Sequence, residues 1–547
     1  MGASATVWWT LAVPIVCSSC ATAHRTSPEA TEAKVSFPRL PTEMSASHRR
    51  NGINSVLFRG HWEYVKNRAD GRYEGGSARS FHAGDSMTIL IAGNRFKIYG
   101  VLGKNGGPGA LIMPDRPETT ISFYAPQKET HRLVFDSGTL AGNIQSASLV
   151  VMPPGNGRKN GYVNIDEIYV PANPQKRLFY SFNKAHGDGI APSGDLIAFR
   201  GRFYGSTNSG GQSSACVGGC GTVFSLSPSG VERVLYSFGS YAGDGTRPIG
   251  GLSEAGGMLY GTTTYGGSSA TCRLGCGTVF SVTQDGKEKV LYSFGTYEGD
   301  GAAPQAGLIV VGRALYGTTQ LGGTHDHGTI FSVTTDGVEK TLYSFGSYKT
   351  DGAYPVAALI DVFGTVYGTT LKGGVNDRGT LFLFDLPNGK ELTLHDFGAG
   401  IDGSYPDSGV ALSGSKLYGT TRSGGKYGTG VIYVSSLSGA EKTLYDFGAS
   451  KDGAQPDSSL TRTNGSLIAF YGVTAAGGEN GRGTLYEINN AGVETVLNSF
   501  GGSDGAYPYG RPLSFNGKFY GTTLAGGSGS CSGPQGNGCG TVFELTP

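Results

Sequence analysis

The sequence predicts an all-β protein with an N-terminal jelly-roll β-sandwich followed by a seven-bladed β-propeller. Three observations support this fold class. A motif of about 50 residues returns seven times in the later part of the chain. Each copy holds four short runs of β-branched and aromatic residues that Gly and Asp turns separate. No helical periodicity stands out after residue 20. A period near 50 with four strands per unit is typical of a propeller.

The third copy shows the strand pattern most clearly. It predicts four strands: Gly307–Val311, Ala314–Thr319, Gly328–Thr334 and Val338–Phe345. Gly312-Arg313, Gly322-Gly323 and Asp336-Gly337 form the turns between them. Such an antiparallel meander cannot bury both of its faces alone, so neighbouring copies are expected to cover it.

The copies share landmarks that fix their number and register. The motif Tyr-Gly-Thr-Thr and its variants begin at Tyr204, Tyr260, Tyr316, Tyr367, Tyr418, Tyr471 and Tyr520. The chain ends just after the third strand of the seventh unit, Gly540–Leu545. A matching fourth strand stands at the start of the repeats, at Arg177–Phe182. We therefore expect three C-terminal strands and one N-terminal strand to close the ring, which removes the open sheet edges of a linear array.

The N-terminus indicates export. Val7–Val16 is a mostly apolar run that is too short for a permanent membrane anchor and resembles a secretory signal. Cys20 follows two serines, as in a bacterial lipobox, and is a candidate for lipidation. The alternative is that Cys20 is lost with an ordinary signal peptide. The predicted domains are a signal peptide at 1–20, a flexible linker at 21–52, the sandwich at 53–172 and the propeller at 173–547.

Composition restricts the choice of partner. The formal net charge of the 547 residues is +1, so no electrostatic field favours nucleic acid. Glycine accounts for 93 residues, but these recur in register with aromatic and β-branched positions. They are therefore interpreted as turns and close backbone approaches rather than as low-complexity sequence. Any membrane contact is expected only through a lipid at Cys20.

Six cysteines lie beyond the predicted signal peptide, two in each of three repeat loops. The pairs are Cys216/Cys220, Cys272/Cys276 and Cys531/Cys539. An even count in an exported chain favours disulfides. Zinc is the alternative, but each loop offers only two ligands and no nearby histidine. The loops belong to the first, second and seventh blades, which are consecutive in a closed ring.

The region before the repeats has a β pattern of its own. Eight strands are predicted: Ser55–Phe58, Met87–Ala92, Phe96–Leu102, Ala110–Met113, Thr119–Tyr124, His131–Asp136, Ser146–Met152 and Tyr162–Val170. The segments Trp62 to Tyr64, Tyr73 to Gly76 and Val163 to Ile168 resemble galactose-binding-like modules of carbohydrate-active proteins. That resemblance implies a jelly roll that binds sugar. Trp62, Tyr64 and Tyr73 are the candidate ligand-binding residues, and packing in the core or at the rim is the alternative for each.

The repeats as a whole resemble the GloVer tandem repeat of bacterial exported proteins. The shared pattern is Leu-Tyr-Ser-Phe, Asp-Gly, Pro, Leu-Tyr-Gly-Thr-Thr, Gly-Gly and Gly-Thr-Val-Phe, from about Lys176 to Pro547. The resemblance implies an exported protein whose anchoring segment varies between members, and it implies no known activity. Cys20 is the anchor expected here.

The sequence contains no recognisable catalytic set, and no catalytic residue, cofactor or metal is predicted. There is no Gly-x-Ser-x-Gly elbow, P-loop or Rossmann fingerprint. The loop His325-Asp326-His327 is expected to be solvated rather than to hold a metal. The aspartates of the seven Asp-Gly pairs are expected to accept hydrogen bonds from turn amides rather than to bind calcium. Paired carboxylates across the central channel would fit a glycosidase or lyase.

The resulting hypothesis is an exported cell-surface protein, lipid-anchored at Cys20, that recognises carbohydrate through the sandwich or the propeller. In the propeller, the face with the longer loops is the candidate surface. Two alternatives remain open. One is a polysaccharide-acting enzyme, which carboxylates clustered at the channel mouth would favour. The other is a structural or adhesive surface protein with a protein partner, which a flat apolar patch would favour.

Overall fold

The computed structural model describes residues 33–36, 53–59, 63–66, 76–80, 83, 86–92, 96–102, 104–113, 116–136, 144–153, 163–170, 175–184, 187–449, 451–463, 469–533 and 536–546. Within these ranges every regular element of more than one residue is a β-strand and the sheets are antiparallel, which confirms the all-β class. The same ranges hold no helix that is long and apolar enough to span a bilayer. Contacts divide the chain into two compact units, with the boundary between Gln175 and Lys176.

The first unit contains all eight strands predicted before the repeats, with their ends shifted by up to three residues. They are Ile53–Arg59, Ser86–Ala92, Lys97–Leu102, Pro108–Met113, Arg116–Ser122, Glu129–Asp136, Ile144–Val151 and Val163–Val170. Three further strands are Ala33–Ser36, Glu63–Lys66 and Gly76–Ser80. Ala33–Ser36 lies in the segment expected to be a flexible linker and pairs with Val163–Val170. It is short and polar, so no periodicity marks it in the sequence.

The strands of the first unit form two sheets that share one hydrophobic core. The five-stranded sheet has the order 53–59, 86–92, 144–151, 108–113, 116–122, and the main path of the six-stranded sheet has the order 63–66, 76–80, 163–170, 97–102, 129–136. The core combines side chains of the first sheet, such as Leu111 and Leu149, with side chains of the second, such as Ile98 and Ile165. Burial between two sheets therefore holds this unit together.

In the second unit, six repeats each form one four-stranded meander, named here sheets 1 to 6. Sheet 1 holds Ile197–Phe199, Arg202–Gly210, Thr222–Leu226 and Glu232–Ser237, with Gly189–Pro192 added beside its second strand. Sheets 2 and 3 hold Ser253–Ala255, Met258–Thr263, Thr278–Val282 and Glu288–Ser293, then Ile309–Val311, Ala314–Thr319, Thr329–Thr334 and Glu339–Ser344. Sheets 4 and 5 hold Ile360–Val362, Thr365–Thr370, Thr380–Asp385 and Lys390–Asp396, then Ala411–Ser413, Lys416–Thr421, Val431–Ser436 and Glu441–Asp446. Sheet 6 holds Thr461–Arg462, Ala469–Thr474, Thr484–Asn489 and Glu494–Ser499.

Sheet 7 combines strands from the two ends of the second unit. Its order is Gln175–Ser181, Thr541–Thr546, Lys518–Ala525 and Ala506–Phe515. Beside this ladder the backbone N–H of Phe182 donates to the carbonyl of Gly540 at 3.1 Å. The N-terminal strand thus occupies the fourth place of the last sheet, the pairing that the strand count predicts.

Two-residue ladders accompany the repeats near the entrance to each sheet. They are Gly245–Thr246 with Tyr265–Gly266, Gly301–Ala302 with Leu321–Gly322, Gly352–Ala353 with Lys372–Gly373, Gly403–Ser404 with Ser423–Gly424, and Gly453–Ala454 with Ala476–Gly477. A similar pair, Ser532–Gly533 with Gly536–Asn537, lies in the cysteine loop of sheet 7.

Seven hydrophobic clusters hold the sheets of the second unit to one another. Six of them join successive sheets, and the seventh joins sheet 7 to sheet 1. The same kind of aromatic contact recurs between neighbouring sheets. The rings of Phe238 and Phe280 meet edge to face at 4.9 Å between sheets 1 and 2. Those of Phe182 and Phe224 meet at 5.1 Å between sheets 7 and 1. The succession of sheet contacts therefore returns to its starting point.

The glycine of the Tyr-Gly-Thr-Thr motif makes this packing possible. A Cβ on Gly261 would lie 2.6 Å from Cζ of Phe280, which belongs to the facing third strand. A Cβ on Gly317 would lie 2.8 Å from Cζ of Phe331. Only glycine leaves room for the ring across the second strand, which is phenylalanine in five copies and tyrosine at Tyr433 and Tyr486, and the glycine is constant through the seven copies.

Candidate functional site

The second unit contains a cavity of about 210 Å³ to which all seven repeats contribute. Its wall is built by the segments that follow the repeat proline, where the chain enters each sheet. The first residue after that proline is Ser193, Ile249, Gln305, Val356, Asp407, Asp457 or Tyr509. The convergence of seven equivalent segments places one side chain from each repeat at the same cavity.

The backbone that leads into the cavity is held by the aspartate of the Asp-Gly pair, as the second repeat shows. In the second repeat the carboxylate of Asp244 accepts hydrogen bonds from the backbone N–H of Ser240 at 2.8 Å and of Gly245 at 2.7 Å, and from the Tyr236 hydroxyl at 2.7 Å. The expected role of the Asp-Gly aspartates as acceptors for turn amides is thus present in the structure. These bonds fix the direction in which the crossing approaches the cavity.

The residue before each repeat proline has a positive φ, although none of the seven is glycine. The angles lie between 54° and 59° at Ala191, Arg247, Ala303, Tyr354, Tyr405, Gln455 and Tyr507. A left-handed conformation costs a side-chain-bearing residue about 1 kcal/mol or more. Backbone bonds hold the strain: Ala303 donates to Cys276 at 2.8 Å and accepts from Gln320 at 3.1 Å. The scaffold is therefore constant while the residues that it presents differ.

The cavity has one strongly polar side, built by repeats 5 to 7. Arg422 Nη1 lies 3.9 Å from Asp407 Oδ2, and Arg422 Nε lies 3.8 Å from Asp457 Oδ1. The side chains of Asp457 and Asp407 are only 7% and 13% exposed, whereas that of Arg422 is 51% exposed. The Oδ1 atoms of both aspartates lack a hydrogen-bond partner among the described residues. Two buried carboxylates thus retain unused acceptor capacity beside an accessible guanidinium.

Burial and mutual repulsion favour protonation of this aspartate pair. Burial, followed by the neighbouring Asp457 carboxylate, raises the pKa of Asp407 well above its usual range, with Arg422 opposing the shift. Burial raises the pKa of Asp457 to about 6, again against the effect of Arg422. Both shifts favour uptake of a proton by the pair, and the positive charge of Arg422 opposes them. The pair can both donate and accept hydrogen bonds to a ligand.

The remaining wall is mixed in character. Burial and the charges of Asp407 and Asp457 raise the pKa of Tyr509, which keeps its hydroxyl protonated as a donor. On the other side, the Gln305 amide donates to the Gln320 carbonyl oxygen at 2.5 Å. Ile249, Val356 and Leu371 supply the larger apolar side chains. The cavity therefore offers apolar side chains interspersed with hydrogen-bond donors and acceptors.

A second set of carboxylates lies where each outer strand meets the neighbouring crossing. Asp244 and Glu288 form one such pair, and the others are Asp188 and Glu232, Asp300 and Glu339, Asp351 and Glu391, and Asp402 and Glu441. At the seventh position Lys176 stands in the place of the glutamate and pairs with Asp504. Burial raises the pKa of Glu232 to about 8 and that of the other four glutamates to about 7.

The structure describes some of the candidate residues named from the sequence and not others. Trp62, Tyr73 and Cys20 lie outside the described residues, and Tyr64 lies in the strand Glu63–Lys66 of the first unit. The three predicted disulfides are present: Cys216–Cys220, Cys272–Cys276 and Cys531–Cys539. They indicate an oxidising environment.

Asp326 and His327, in the loop that was considered as a metal site, both contact other residues of the protein. Asp326 Oδ1 accepts from the backbone N–H of Gly322 at 2.9 Å, and the His327 ring packs on Tyr354. Within the described residues, no group of three or more His, Cys, Asp or Glu side chains is placed to hold a metal ion.

The sequence analysis considered paired carboxylates only as what an enzyme would need, and it did not identify Asp407, Asp457, Arg422 or Tyr509. The signal lies in comparing the copies with one another. The motif residues are nearly constant among the copies. The position after the repeat proline, in contrast, carries six residue types in seven copies, and only aspartate occurs twice. Variation at one fixed position of a repeat marks a surface that the scaffold presents rather than one that it needs.

Comparison with known proteins gives one family match. A family model described as the Gloeobacter/Verrucomicrobia repeat matches residues 155–382 and 349–543. A search of curated proteins finds no match. Among solved structures, the chain is similar to a putative 6-phosphogluconolactonase from Bacteroides uniformis, with 16% identity, a TM-score of 0.37, and coverage of 62% of this chain and 92% of the other. It is also similar to a luciferin-regenerating enzyme, with 14% identity, a TM-score of 0.32, and coverage of 53% and 88%.

Proposed function

The chain belongs to the Gloeobacter/Verrucomicrobia repeat family, and we propose that it is an exported cell-surface protein that binds carbohydrate. The proposed architecture is a signal peptide at 1–20, a linker at 21–52, a jelly-roll sandwich at 53–172 and a seven-bladed propeller at 173–547. The strand shared between the two ends of the second unit and the returning succession of sheet contacts support the propeller. The three disulfides support export.

The binding site that we propose for the propeller is the cavity around Arg422. The observation that carries this proposal is the pair of buried aspartates with unused acceptor atoms beside a half-exposed guanidinium. Buried carboxylate oxygens without hydrogen-bond partners destabilise the folded state, and a ligand that donates to them would offset this cost. Hydroxyl groups of a sugar can donate to Asp457 and accept from Arg422 or the protonated Asp407.

The size of the cavity limits the ligand. Its volume of about 210 Å³ equals roughly seven water volumes at about 30 Å³ each. That space suits one sugar unit, and a longer chain would continue outward past Arg422. The apolar side chains Ile249 and Val356 then face the less polar side of the ring.

The direct test is a glycan array probed with the full chain and with two variants. Asp457→Asn keeps the shape of the site and removes an acceptor, and Arg422→Met removes the guanidinium donors. We expect each to weaken binding of the best glycan by about tenfold or more. Asp361→Asn is the matched control, because Asp361 caps a surface turn by accepting from the Gly364 backbone N–H. Unchanged array signals for both cavity variants would contradict the proposal.

One alternative function has a specific observation behind it. Asp407 and Asp457 are two neighbouring carboxyl groups whose pKa values burial raises, and a raised pKa lets a carboxyl group act as a general acid near neutral pH. An enzyme that cleaves polysaccharide would use such a pair. A reducing-end assay on the bound glycan tests it: turnover that Asp407→Asn and Asp457→Asn abolish would establish the enzyme, and binding without turnover would establish the binding protein.

Two further proposals concern the first unit and the anchor. Trp62, Tyr64 and Tyr73 remain the candidate sugar-binding residues of the sandwich, and Tyr64→Ala and Tyr73→Ala test them if their melting is unchanged. Lipidation at Cys20 supports attachment to the outer cell surface, and mass spectrometry of the mature protein tests it. Array signals with proteins in place of glycans would instead favour an adhesive protein with a protein partner.

A further inference from the structure

We propose that Tyr241, Tyr297 and Tyr348, named here the tyrosine row, form a second carbohydrate-binding surface that receives separate units of one uncharged polysaccharide chain. The row goes beyond the cavity proposed above and does not rest on it. It lies on the crossings that link sheets 1 to 4, near their outer strands, whereas the cavity lies at the inner ends of the crossings.

The three tyrosines are equivalent residues of consecutive repeats. Each stands three positions before the Asp-Gly aspartate of its crossing. Each side chain is exposed to a similar degree, 51% at Tyr241, 49% at Tyr297 and 44% at Tyr348. In contrast, tyrosines at the start of the Tyr-Gly-Thr-Thr motif, such as Tyr260, are buried. The fold therefore presents a half-exposed aromatic ring at the equivalent position of three consecutive crossings.

The hydroxyl groups of the row are anchored, which fixes the rings. Tyr241 donates to Glu288 Oε2 at 3.0 Å, Tyr297 to Glu339 Oε2 at 2.9 Å, and Tyr348 to Glu391 Oε2 at 2.9 Å. Tyr297 and Tyr348 also contact threonine hydroxyls at 2.9 and 3.0 Å. Each glutamate lies on the outer strand of the following sheet, so the hydroxyl group of each tyrosine is bonded to a regular strand. The tyrosine side chains are therefore already ordered and lose little conformational entropy when a ligand covers the ring.

The fold itself does not require a ring at this position. The equivalent residues of the crossings into sheets 5, 6 and 7 are Ala399, Ala449 and Gly501. Glu441, the counterpart of the anchoring glutamates, has a side chain that is only 8% exposed although no tyrosine of this kind covers it. Three of the seven crossings thus keep the same architecture without the ring, so a purely structural role does not explain the row.

The chemistry of the row indicates the class of ligand. The rings are separated by polar crossing residues, so they do not make the continuous apolar patch that a protein partner would cover. Glu298 and Lys349, which neighbour Tyr297 and Tyr348 in the chain, carry opposite charges. The glutamates that anchor the hydroxyl groups disfavour an anionic polymer, so an uncharged polysaccharide fits the row better than an acidic one. Sugar units present flat C–H faces at regular intervals, and such faces stack on separate aromatic rings.

The experiment measures binding of the full chain to a panel of soluble neutral polysaccharides, and then to a length series of oligosaccharides from the one that binds. The test variant combines Tyr241→Ala, Tyr297→Ala and Tyr348→Ala. Tyr427→Ala is the matched control, since Tyr427 is 48% exposed and lies outside the row. Asp457→Asn separates the row from the cavity. Melting curves confirm that each variant is folded, and the three single variants replace the triple one if it is not.

We expect a loss of about fivefold to tenfold in affinity per ring, and a loss on the order of a hundredfold in the triple variant. Affinity should rise with oligosaccharide length until the ligand spans three rings, and Asp457→Asn should retain this length dependence. Three results would overturn the proposal: no binding to any neutral polysaccharide, equal affinity of the test and Tyr427→Ala variants, or affinity independent of length. If only the cavity proposal is wrong, Asp457→Asn should bind every oligosaccharide with the affinity of the unsubstituted chain.

Discussion

Stability should fall as pH rises from 5 to 8, because the outer carboxylate pairs bind protons in the folded state. Burial raises the pKa of Glu288, Glu339, Glu391 and Glu441 from 4.5 to about 7, and that of Glu232 to about 8. A group whose folded pKa is raised contributes stability that is fully present below its unfolded pKa and is lost as pH rises through the folded value. The window is therefore pH 4.5 to 8.

The size of the effect follows from the shifts and from how far each group is screened. A glutamate pKa raised from 4.5 to about 7 corresponds to about 3 kcal/mol for a fully buried group. The crossings beside these glutamates lie at the surface, where neighbouring tyrosines are about half exposed, so solvent screening reduces this to about 1 kcal/mol each. Five groups together give about 5 kcal/mol, or a fall of about 5–10 °C in melting temperature for a unit of this size. Lys176, whose pKa burial lowers to about 8, stays protonated below pH 7 and adds no slope there.

The assay is melting of the full chain followed by circular dichroism at several pH values between 5 and 8. Glu391→Gln imitates the protonated side chain and should flatten the pH dependence by about one fifth, its share among five groups. Glu298→Gln is the matched control, because Glu298 is an exposed residue of the same unit. A melting temperature that rises from pH 5 to 8, or an unchanged slope in Glu391→Gln, would refute the reasoning.

Three further predictions concern the scaffold. Ala303→Gly should raise stability by about 0.5 kcal/mol, because it relieves a positive φ, whereas Ala302→Gly should lower it; equal denaturation midpoints would contradict this. Deleting residues 540–547 removes the strand that completes sheet 7 and should lower the melting temperature far more than deleting residues 21–50; similar losses would argue against closure. Non-reducing peptide mapping should find the three disulfides within their own loops, each contributing about 2–3 kcal/mol; links between loops would contradict the pairing.

The strand pattern of the repeats could be derived from the sequence because it is written seven times. Agreement among copies corrects local ambiguity, so Ala314–Thr319 is both predicted and observed. The pairing of the first and last strands follows from counting them, since an unpaired edge at each end has a cost. In the first unit, which has no repeat, three short strands such as Glu63–Lys66 were missed. Their few residues give too little periodicity to stand out.

The residues of the cavity could not be identified from the sequence. Asp407 and Asp457 are in separate repeats, and their meeting depends on the order in which sheets contact one another. Arg422 comes from a different place in its repeat, just after Tyr-Gly-Thr-Thr, so no spacing links it to either aspartate. The tyrosine row shows the converse case: its three positions are equivalent in the sequence, but exposure distinguishes them from the buried tyrosines of the same repeats.

The most direct test of a sugar site in the second unit is a crystal structure of the full chain with the glycan that binds best on the array. We expect density for one sugar unit in the cavity, with hydroxyl groups within hydrogen-bond distance of Asp457 and Arg422. Density for the glycan on the first unit or on the tyrosine row alone, with the cavity holding only water, would contradict the cavity as the binding site.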